Sequence, residues 1–589
     1  MKRDSYLVGR AFRSFLFASV LTVAASQMGA FIDGLMVSWF VNDTAMGAIN
    51  VSTPVLQLFF SLCLLLGAGG TLIAGKAIGN HDRQRASAIF SLSTSTAVVI
   101  GLVLGVAGLL FFNPIVSLLC PDSAVAGYVS DYLIITIPGA ALYMLMIVLQ
   151  MFVALDGEPK RVTVAVTTCV AVNLALDYLF IPVFGWGTAG AAAATVISYL
   201  PSIVILLMHF RKKGTLRFTR AMSLKDICEI ARMGTPSGFT GLLMSVQIYF
   251  CNIVAINFLG TAGVIVLAVY MYLLRLSMIL LTGTIDSFQP VASILAGSGD
   301  NRGVAMVLKK AYRFMGIALA VYVGAMILFP DFVASLFGIT DGMTRAVVSI
   351  AIPAFAVNII LQCLIGLLIS VYQVYSHTRQ AMIVSVGQPL FPMLFFFLMA
   401  VVGQKTGTPV AWWGFAIGQV ALIIVLLPFV MRRKNKTGAC VPFFLIPVQS
   451  ADKVYDTSLE PSMRIAGNQL VEADRWLADN GVADSLRFRV GVSCEEILKN
   501  IIDYSGNAST RPSIDLRISL RPGEVIAVIH DEGHPFNPVE EDPGTGIGLL
   551  IVRKSCDTMK YEYLFHQNIL TMTWKTDDAE KQLTTPKKL

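Results

Sequence analysis

The apolar positions of this chain form long blocks up to about Val430 and short alternating runs after Gly438. About twelve of the long blocks can form a helix that crosses a hydrocarbon core of roughly 30 Å. The later segments have the lengths and periods of soluble helices and strands. We therefore expect an all-α polytopic membrane domain over residues 1–435, followed by an α/β sandwich domain over residues 440–577.

Composition and charge support a membrane protein. The chain is 55% hydrophobic and only 14% charged, which excludes an ordinary soluble protein. Its net charge of +7 does not indicate nucleic-acid binding, because most basic residues flank apolar blocks. With the N-terminus inside, roughly 25 Lys and Arg fall on the cytoplasmic side and about two outside. This asymmetry predicts a multi-pass protein in the lipid of the plasma membrane, with both termini cytoplasmic.

A weak internal repeat divides the membrane domain. SWFVNDTAMGAINV resembles INFLGTAGVIVLAV about 218 residues later, and GKAIGNHDRQR aligns with SILAGSGDNRG. Asp82 thereby corresponds to Asp300. We expect two lobes of six helices each, about 1–210 and 225–435, in the same orientation across the membrane. Transporters built from such parallel repeats bind their substrate between the halves.

Two carboxylates interrupt the apolar blocks. Asp177 lies in NLALDYLF with Asn173 one helical turn earlier on the same face, and Asp33 lies in GAFIDGLMVSWF. An ionisable side chain inside a membrane is costly, so its presence indicates function. Burial and a neighbouring carboxylate both favour the protonated form of an aspartate. The pattern predicts a proton or cation site, and an aspartate with an asparagine could also ligate sodium.

Three further polar residues are candidates for a substrate cavity: Gln247, Arg275 and Asp286. Arg275 either faces the cavity or forms a structural ion pair with a carboxylate on another helix, and the sequence leaves both interpretations open. Asp286, beside Gly283 and Pro290, is expected to line the cytoplasmic half of the cavity.

Three fragments together resemble the MATE (multidrug and toxic compound extrusion) family of antiporters over about residues 5–433. They are NLALDYLFIPVFGWGTAGAAAATVIS, FIDGLMVSWFVNDTAMGAINVSTPV and FQPVASILAGSGDNRG. The resemblance implies two six-helix lobes around a V-shaped cavity and export of organic cations or other amphipathic compounds, driven by protons or sodium. It also implies that Asp33, Asn173 and Asp177 couple the ion to transport. The seventh apolar block contains no Asp or Glu, so the resemblance does not extend to the C-lobe sodium site of one branch of the family.

The soluble segment alternates helix and strand signals. MRIAGNQLVEADRWLADNG, closed by Gly481, and LRFRVGVSCEEILKNIIDYSG predict two helices, and a third begins in GTGIGLLIVRKSC. PFFLIPV predicts a strand. SIDLRISL with EVIAVIHDEG, and YEYLF with ILTMTW, predict two hairpins.

Three boxes in this segment resemble the histidine-kinase-type ATP-binding fold, in particular the anti-sigma-factor serine kinases. Glu496 and Asn500 share a helix face, and DEGHPFNP follows with Asp531 and Gly533. The resemblance implies that Asn500 ligates Mg²⁺, that the catalytic Glu496 orients the attacking hydroxyl or water, and that Asp531 accepts from the adenine of ATP. Gly533 would permit close approach of the base. The phosphate-contacting glycines of GTGIGLLIV would be Gly544, Gly546 and Gly548.

These observations favour a secondary efflux antiporter with an appended nucleotide-binding domain that regulates transport or phosphorylates serine on a protein partner. ATP is not expected to drive transport, because no Walker-type lysine loop is present. Two alternatives stay open. One is a membrane receptor that controls an anti-sigma-factor-like serine kinase, and the other is a flippase for lipid-linked saccharides.

Overall fold

The structure, a computed structural model, describes residues 6–120, 123–211, 216–219, 223–337, 339, 341–406, 408–437, 440–441, 443–447, 453–504, 514–540 and 547–576. The chain forms two compact units. One contains residues 14–300 and 307–446, and the other contains residues 1–13, 301–306 and 447–589.

Long helices make up the membrane part of the chain. They are α1 (Tyr6–Phe40), α2 (Asp43–Gly79), α3 (Arg83–Leu110), α4 (Phe112–Leu119), α5 (Ser123–Thr136), α6 (Ala140–Leu155), α7 (Pro159–Tyr178), α8 (Gly187–Phe210), α9 (Leu224–Val254), α10 (Gly260–Gly297), α11 (Asn301–Leu328), α12 (Pro330–Leu336), α13 (Gly342–Val374), α14 (Thr378–Thr406) and α15 (Trp413–Thr437). In the part of the chain that the structure describes, all except α4 and α12 are long enough to take part in a membrane span. The helices α5 and α6 are long and apolar enough for a span only together, and a bend of 59° separates them.

The helices α9 and α10 follow each other through a π-helical turn, Ala255–Leu259, yet they are two spans. A Cβ on Gly69 of α2 would lie 2.1 Å from the carbonyl oxygen of Ile230 in α9, and one on Gly79 would lie 2.1 Å from that of Ile294 in α10. The two glycines are about 15 Å apart along α2, whereas a straight helix would separate the two isoleucines by about 96 Å. The chain therefore turns back at Gly260, whose φ is 67°. With α5 and α6 counted as one span and α9 and α10 as two, the described helices give twelve spans, as the apolar blocks predict.

The helices of the two lobes begin at positions that repeat with the spacing of the sequence repeat. The first residues of α9, α11 and α12 follow those of α1, α3 and α4 by 218 positions, and α14 follows α7 by 219. This spacing maps Asp33 onto Cys251 and Asp177 onto Phe396, and both of these residues are buried. The carboxylate pair of the first lobe thus has an apolar counterpart in the second.

The two lobes touch backbone to backbone along α2. A Cβ on Gly234 of α9 would lie 1.8 Å from the carbonyl oxygen of Leu65, and one on Gly297 of α10 would lie 2.4 Å from that of Lys76. Small residues allow such approach of membrane helices, whose association depends on close van der Waals packing. The contact cannot accommodate a methyl group without moving a helix.

We expect Gly234→Ala to lower the stability of the purified protein in detergent by about 1–3 kcal/mol, because the new methyl group forces α9 away from α2. Gly316→Ala in α11 is the matched control, since a Cβ there meets nothing within 4 Å. That substitution should be neutral or stabilising by about 1 kcal/mol, because alanine favours a helix. Thermal unfolding of both variants tests the contact, and equal midpoints would contradict it.

The second unit is built on an antiparallel sheet of five strands in the order β3-β4-β5-β7-β6. Its elements are β3 (Lys453–Leu459), α16 (Met463–Asp479), α17 (Asp484–Tyr504), β4 (Ile514–Arg521), β5 (Glu524–Asp531), α18 (Ile547–Ser555), β6 (Thr558–Leu564) and β7 (Gln567–Lys575). The buried core includes Leu477 of α16, Leu498 of α17, Val552 of α18 and Trp574 of β7. The three helices therefore pack against the sheet.

Both predicted hairpins are present, as the pairs β4–β5 and β6–β7. Phe565 and His566 link β6 to β7 with φ of 57° and 60°, the conformation of a tight hairpin turn. The strand predicted for PFFLIPV is wrong for residues Phe443–Leu445, which form a turn that precedes the short strand β2 (Ile446–Pro447). That strand pairs with β1 (Cys440–Val441). Strand β3 was not predicted, because its polar sequence has no apolar run.

Candidate functional site

The carboxylate pair of the first lobe is formed by α1 and α7. Asp177 is fully buried in the last turn of α7, and Asp33 and Asn173 are half-buried. A π-helical turn, Leu179–Val183, follows directly and contains Pro182. Proline lacks the backbone N–H of a regular helix, and π-helical turns recur at functional sites. The helix α7 thus loses its regular geometry directly after Asp177.

Hydrogen bonding leaves this pair incomplete. The carboxyl groups of Asp33 and Asp177 are within hydrogen-bonding reach of each other. Asp33 Oδ1, both carboxylate oxygens of Asp177 and Asn173 Nδ2 are buried without a hydrogen-bond partner among the described residues. Ionised carboxylates only accept hydrogen bonds, so they cannot satisfy each other. A proton shared between the two carboxylates, or a bound cation, would supply the partner that these buried oxygens lack.

Tyr132 of α5 is a neighbour of this pair that the sequence did not indicate. Its side chain is buried and near both carboxylates. A tyrosine in an apolar block is usually a packing residue, so the sequence pattern contains no signal for its position. It brings a phenolic hydroxyl into the same polar cluster.

The three candidate cavity residues occupy different environments. Gln247 is buried in α9, whereas Arg275 is exposed on α10. No salt bridge joins Arg275 to a carboxylate within the described ranges, so no partner for a structural ion pair is found there. Asp286 lines a cavity of about 100 Å³ between α10 and helices of the first lobe.

In the second unit, the first and third ATP boxes lie against each other. Glu496 and Asn500 are one turn apart on α17, both half-buried. A Cβ on Gly548, at the start of α18, would lie 2.2 Å from Glu496 Oε2. A side chain at position 548 would therefore displace the glutamate. Gly544 and Gly546 lie outside the described residues.

Asp531 ends β5 and is held by two donors. Its Oδ1 accepts from the backbone N–H of Gly533 at 2.7 Å and from Asn568 Nδ2 at 2.8 Å. Burial raises the pKa of the Asp531 carboxyl, and the hydrogen bonds from Asn568 and Gly533 oppose that rise. No other described residue donates to its Oδ2, which leaves this oxygen available to a ligand.

Asn568 is a site residue that the sequence did not reveal. It lies on β7 opposite Asp531 in the strand register. Its Nδ2 also donates to the carbonyl oxygen of His534 at 3.2 Å, and its Oδ1 accepts from Tyr561 at 2.6 Å. Asn568 thus fixes both the carboxylate and the loop that follows it. Only the pairing of β5 with β7, which the sequence leaves open, brings Asn568 opposite Asp531.

Known proteins resemble both parts of the chain. The MatE family matches residues 18–179, and the histidine kinase-like ATPase domain matches residues 466–574. The chain is 23% identical over 442 residues to "Multidrug export protein MepA" of Staphylococcus haemolyticus (strain JCSC1435), covering 72% of this chain and 94% of that protein.

Two solved structures share the fold of the membrane part. One is a MOP superfamily transporter from Pyrococcus furiosus, with a TM-score of 0.67 and 19% identity. The other is a multidrug resistance MATE family transporter in an outward-facing conformation, with a TM-score of 0.65 and 20% identity. Each comparison covers 74% of this chain and 99% of the other. The similarity therefore extends over both lobes.

Proposed function

We propose that this chain, a member of the MATE family with a C-terminal histidine kinase-like ATPase domain, exports amphipathic or cationic compounds in exchange for protons. The observation that supports this is the pair Asp33 and Asp177, whose buried oxygens have no donor among the described residues. The similar MepA protein is a multidrug export protein. Sodium is the alternative coupling ion, because carboxylate and amide oxygens also ligate it.

Coupling follows from the charge of the pair. When both aspartates are ionised, like charges repel inside a poorly solvated site. A proton taken up between them removes one charge and supplies the missing donor. The two carboxylates belong to different helices, so protonation changes the force between α1 and α7. Both termini lie on the cytoplasmic side of the plasma membrane in this proposal, as the distribution of basic residues indicates.

We expect Asp177→Asn to reduce export to background, because an amide cannot take up and release a proton. The assay uses the purified full chain in liposomes, a fluorescent organic cation, and an imposed proton or sodium gradient. Asp131→Asn, an exposed position on α5, is the matched control and should transport normally. Full activity of Asp177→Asn would exclude this residue from coupling. Transport driven by sodium alone would identify the other ion.

The C-terminal domain provides a fitting site for ATP. Asp531 Oδ2 is available for the adenine amino group, and the lack of a side chain at Gly548 leaves room for Glu496 beside the start of α18. Asn500 would hold Mg²⁺, which neutralises phosphate charge when bound. The position of Glu496 beside Gly548 favours a second role for this domain, as a serine kinase. In that role the glutamate orients a serine hydroxyl of a protein substrate.

Nucleotide affinity should depend on pH through Asp531. The adenine amino group donates to the ionised carboxylate, so affinity is lost as pH falls through the pKa of Asp531. Asn568→Ala removes a hydrogen bond that lowers this pKa, so its affinity should begin to fall at a higher pH. Anisotropy of a fluorescent ATP analogue on the full chain measures this, with exposed Lys560→Ala as control. Asp531→Asn should bind weakly at every pH, and unchanged binding would refute the adenine assignment.

A regulatory role is supported by the composition of the second unit, which includes residues 1–13. Gln567 Nε2 donates to the carbonyl oxygen of Leu7 at 2.9 Å, and Arg10 forms an ion pair with Glu532, the neighbour of Asp531. Leu7 and Arg10 belong to α1, the helix that also carries Asp33. Nucleotide at Asp531 would thereby influence the helix that bears a coupling carboxylate.

Arg10→Ala should leave nucleotide affinity intact but abolish the effect of nucleotide on transport, because the ion pair to Glu532 is lost. Arg13→Ala is the matched control, being an exposed arginine of the same helix. The measurement is proton-driven export with and without a non-hydrolysable ATP analogue inside the liposomes. An equal nucleotide effect in both variants would show that regulation does not use this contact.

A further inference from the structure

The cavity at Asp286 has a polar lining separate from the Asp33 and Asp177 pair. It lies where α10 of the second lobe meets α1, α2, α6 and α7 of the first. Its polar lining residues are Ser19, Thr22, Thr71, Gln150, Asp286 and Gln289. The spacing of the repeat maps Asp286 onto Ala68, so this carboxylate also occurs in one lobe only.

Asp286 is the charged group of this cavity. Its side chain is exposed to the cavity space. No basic residue lines the cavity, and no described residue forms an ion pair with Asp286. A carboxylate on the wall of a cavity without basic residues attracts a cation, because no described residue balances its charge.

The neighbouring hydroxyl groups present oxygen lone pairs to the cavity. Thr22 Oγ1 donates to the carbonyl oxygen of Ala18 at 2.8 Å, and Thr71 Oγ1 donates to that of Gly67 at 2.8 Å. A hydroxyl whose hydrogen is engaged in this way offers only acceptor capacity to other ligands. Gln289 uses its Nε2 on the carbonyl oxygen of Ala68 at 3.4 Å, which leaves its amide oxygen as an acceptor. The lining therefore places acceptor oxygens of Thr22, Thr71 and Gln289 on the same cavity wall as the carboxylate.

We infer that this cavity binds a small monovalent cation, with Asp286 as the charged ligand and neighbouring hydroxyl and amide oxygens as neutral ligands. Oxygen ligands favour hard cations, and one carboxylate balances one charge. The volume of about 100 Å³ admits several water molecules, each of which needs about 10–15 Å³. Drug-sized ligands occupy pockets of roughly 300–1,000 Å³, so a whole exported compound does not fit. An alkali ion and a small ammonium group both carry the single positive charge that these oxygen ligands can bind.

Such a cation would connect the two lobes. Asp286 and Gln289 belong to α10, whereas Thr22 and Thr71 belong to α1 and α2. Thr22 also contacts Thr163 of α7 through their hydroxyl oxygens at 2.9 Å. Occupancy would therefore stabilise the contact between lobes at this cavity. The inference does not require that Asp33 and Asp177 couple transport.

The test is thermal unfolding of the purified full chain in sodium, potassium, methylammonium or N-methylglucamine chloride at constant ionic strength. The bulky N-methylglucamine ion does not fit the cavity and serves as the reference. We expect at least one small cation to raise the unfolding midpoint, because it binds the folded state. Sodium or potassium as the active salt would identify an alkali-ion site, and methylammonium alone would identify a site for an ammonium group.

Variants assign this stabilisation to the cavity. It should be lost in Asp286→Asn and retained in Asp177→Asn, which keeps the cavity and alters only the other carboxylate pair. Thr71→Val, which replaces the hydroxyl with a methyl group of similar size, should raise the half-maximal cation concentration about tenfold. Absence of stabilisation by every small cation would overturn the inference, and so would full stabilisation of a folded Asp286→Asn protein.

Discussion

The constraint that dominates the membrane part of this protein is a set of carboxylate oxygens buried without a donor among the described residues. An unsatisfied buried polar group costs about 1–3 kcal/mol, and more when it is charged. At Asp33 and Asp177 three such oxygens occur together. The surrounding helices determine this, since α1 and α7 bring the two carboxylates within reach, and the described residues around them contribute no basic group. A proton or a bound cation would relieve this cost, and the proposed coupling rests on that change in occupancy.

The asymmetry between the lobes determines where such switches lie. The lobes share helix boundaries at a nearly constant spacing, yet Cys251 and Phe396 occupy the positions that correspond to the first-lobe carboxylates. Conversely, Asp286 corresponds to Ala68. A common scaffold thus holds the pair Asp33 and Asp177 in the first lobe and Asp286 in the second. An ion bound at a proposed site in one lobe therefore has no equivalent site in the other lobe.

The sequence predicted the features that depend on rare residues or long periods. Long apolar blocks gave the twelve spans, and the charges at Asp33 and Asp177 were conspicuous because ionisable residues are costly in a membrane. It did not predict Tyr132 or Asn568, whose roles arise from tertiary packing and strand register. The turn at Phe443 was also missed, because an apolar run of seven residues has the composition of a strand. Local pattern identifies elements, whereas the partners of a side chain follow from the packing of distant segments.

The contact between lobes along α2 combines close backbone packing with exposed polar contacts. At Gly234 and Gly297 it consists of helix backbones in van der Waals contact, so separation breaks no helical hydrogen bond. The ion pair between Arg85 and Glu229 adds little, because both side chains are about half exposed and exposed pairs contribute only about 0–1 kcal/mol. A cavity of about 250 Å³, lined by Lys76, Arg85 and Glu229 among others, lies beside this contact. Close packing here is therefore confined to the glycine positions, and the polar groups around them face open space.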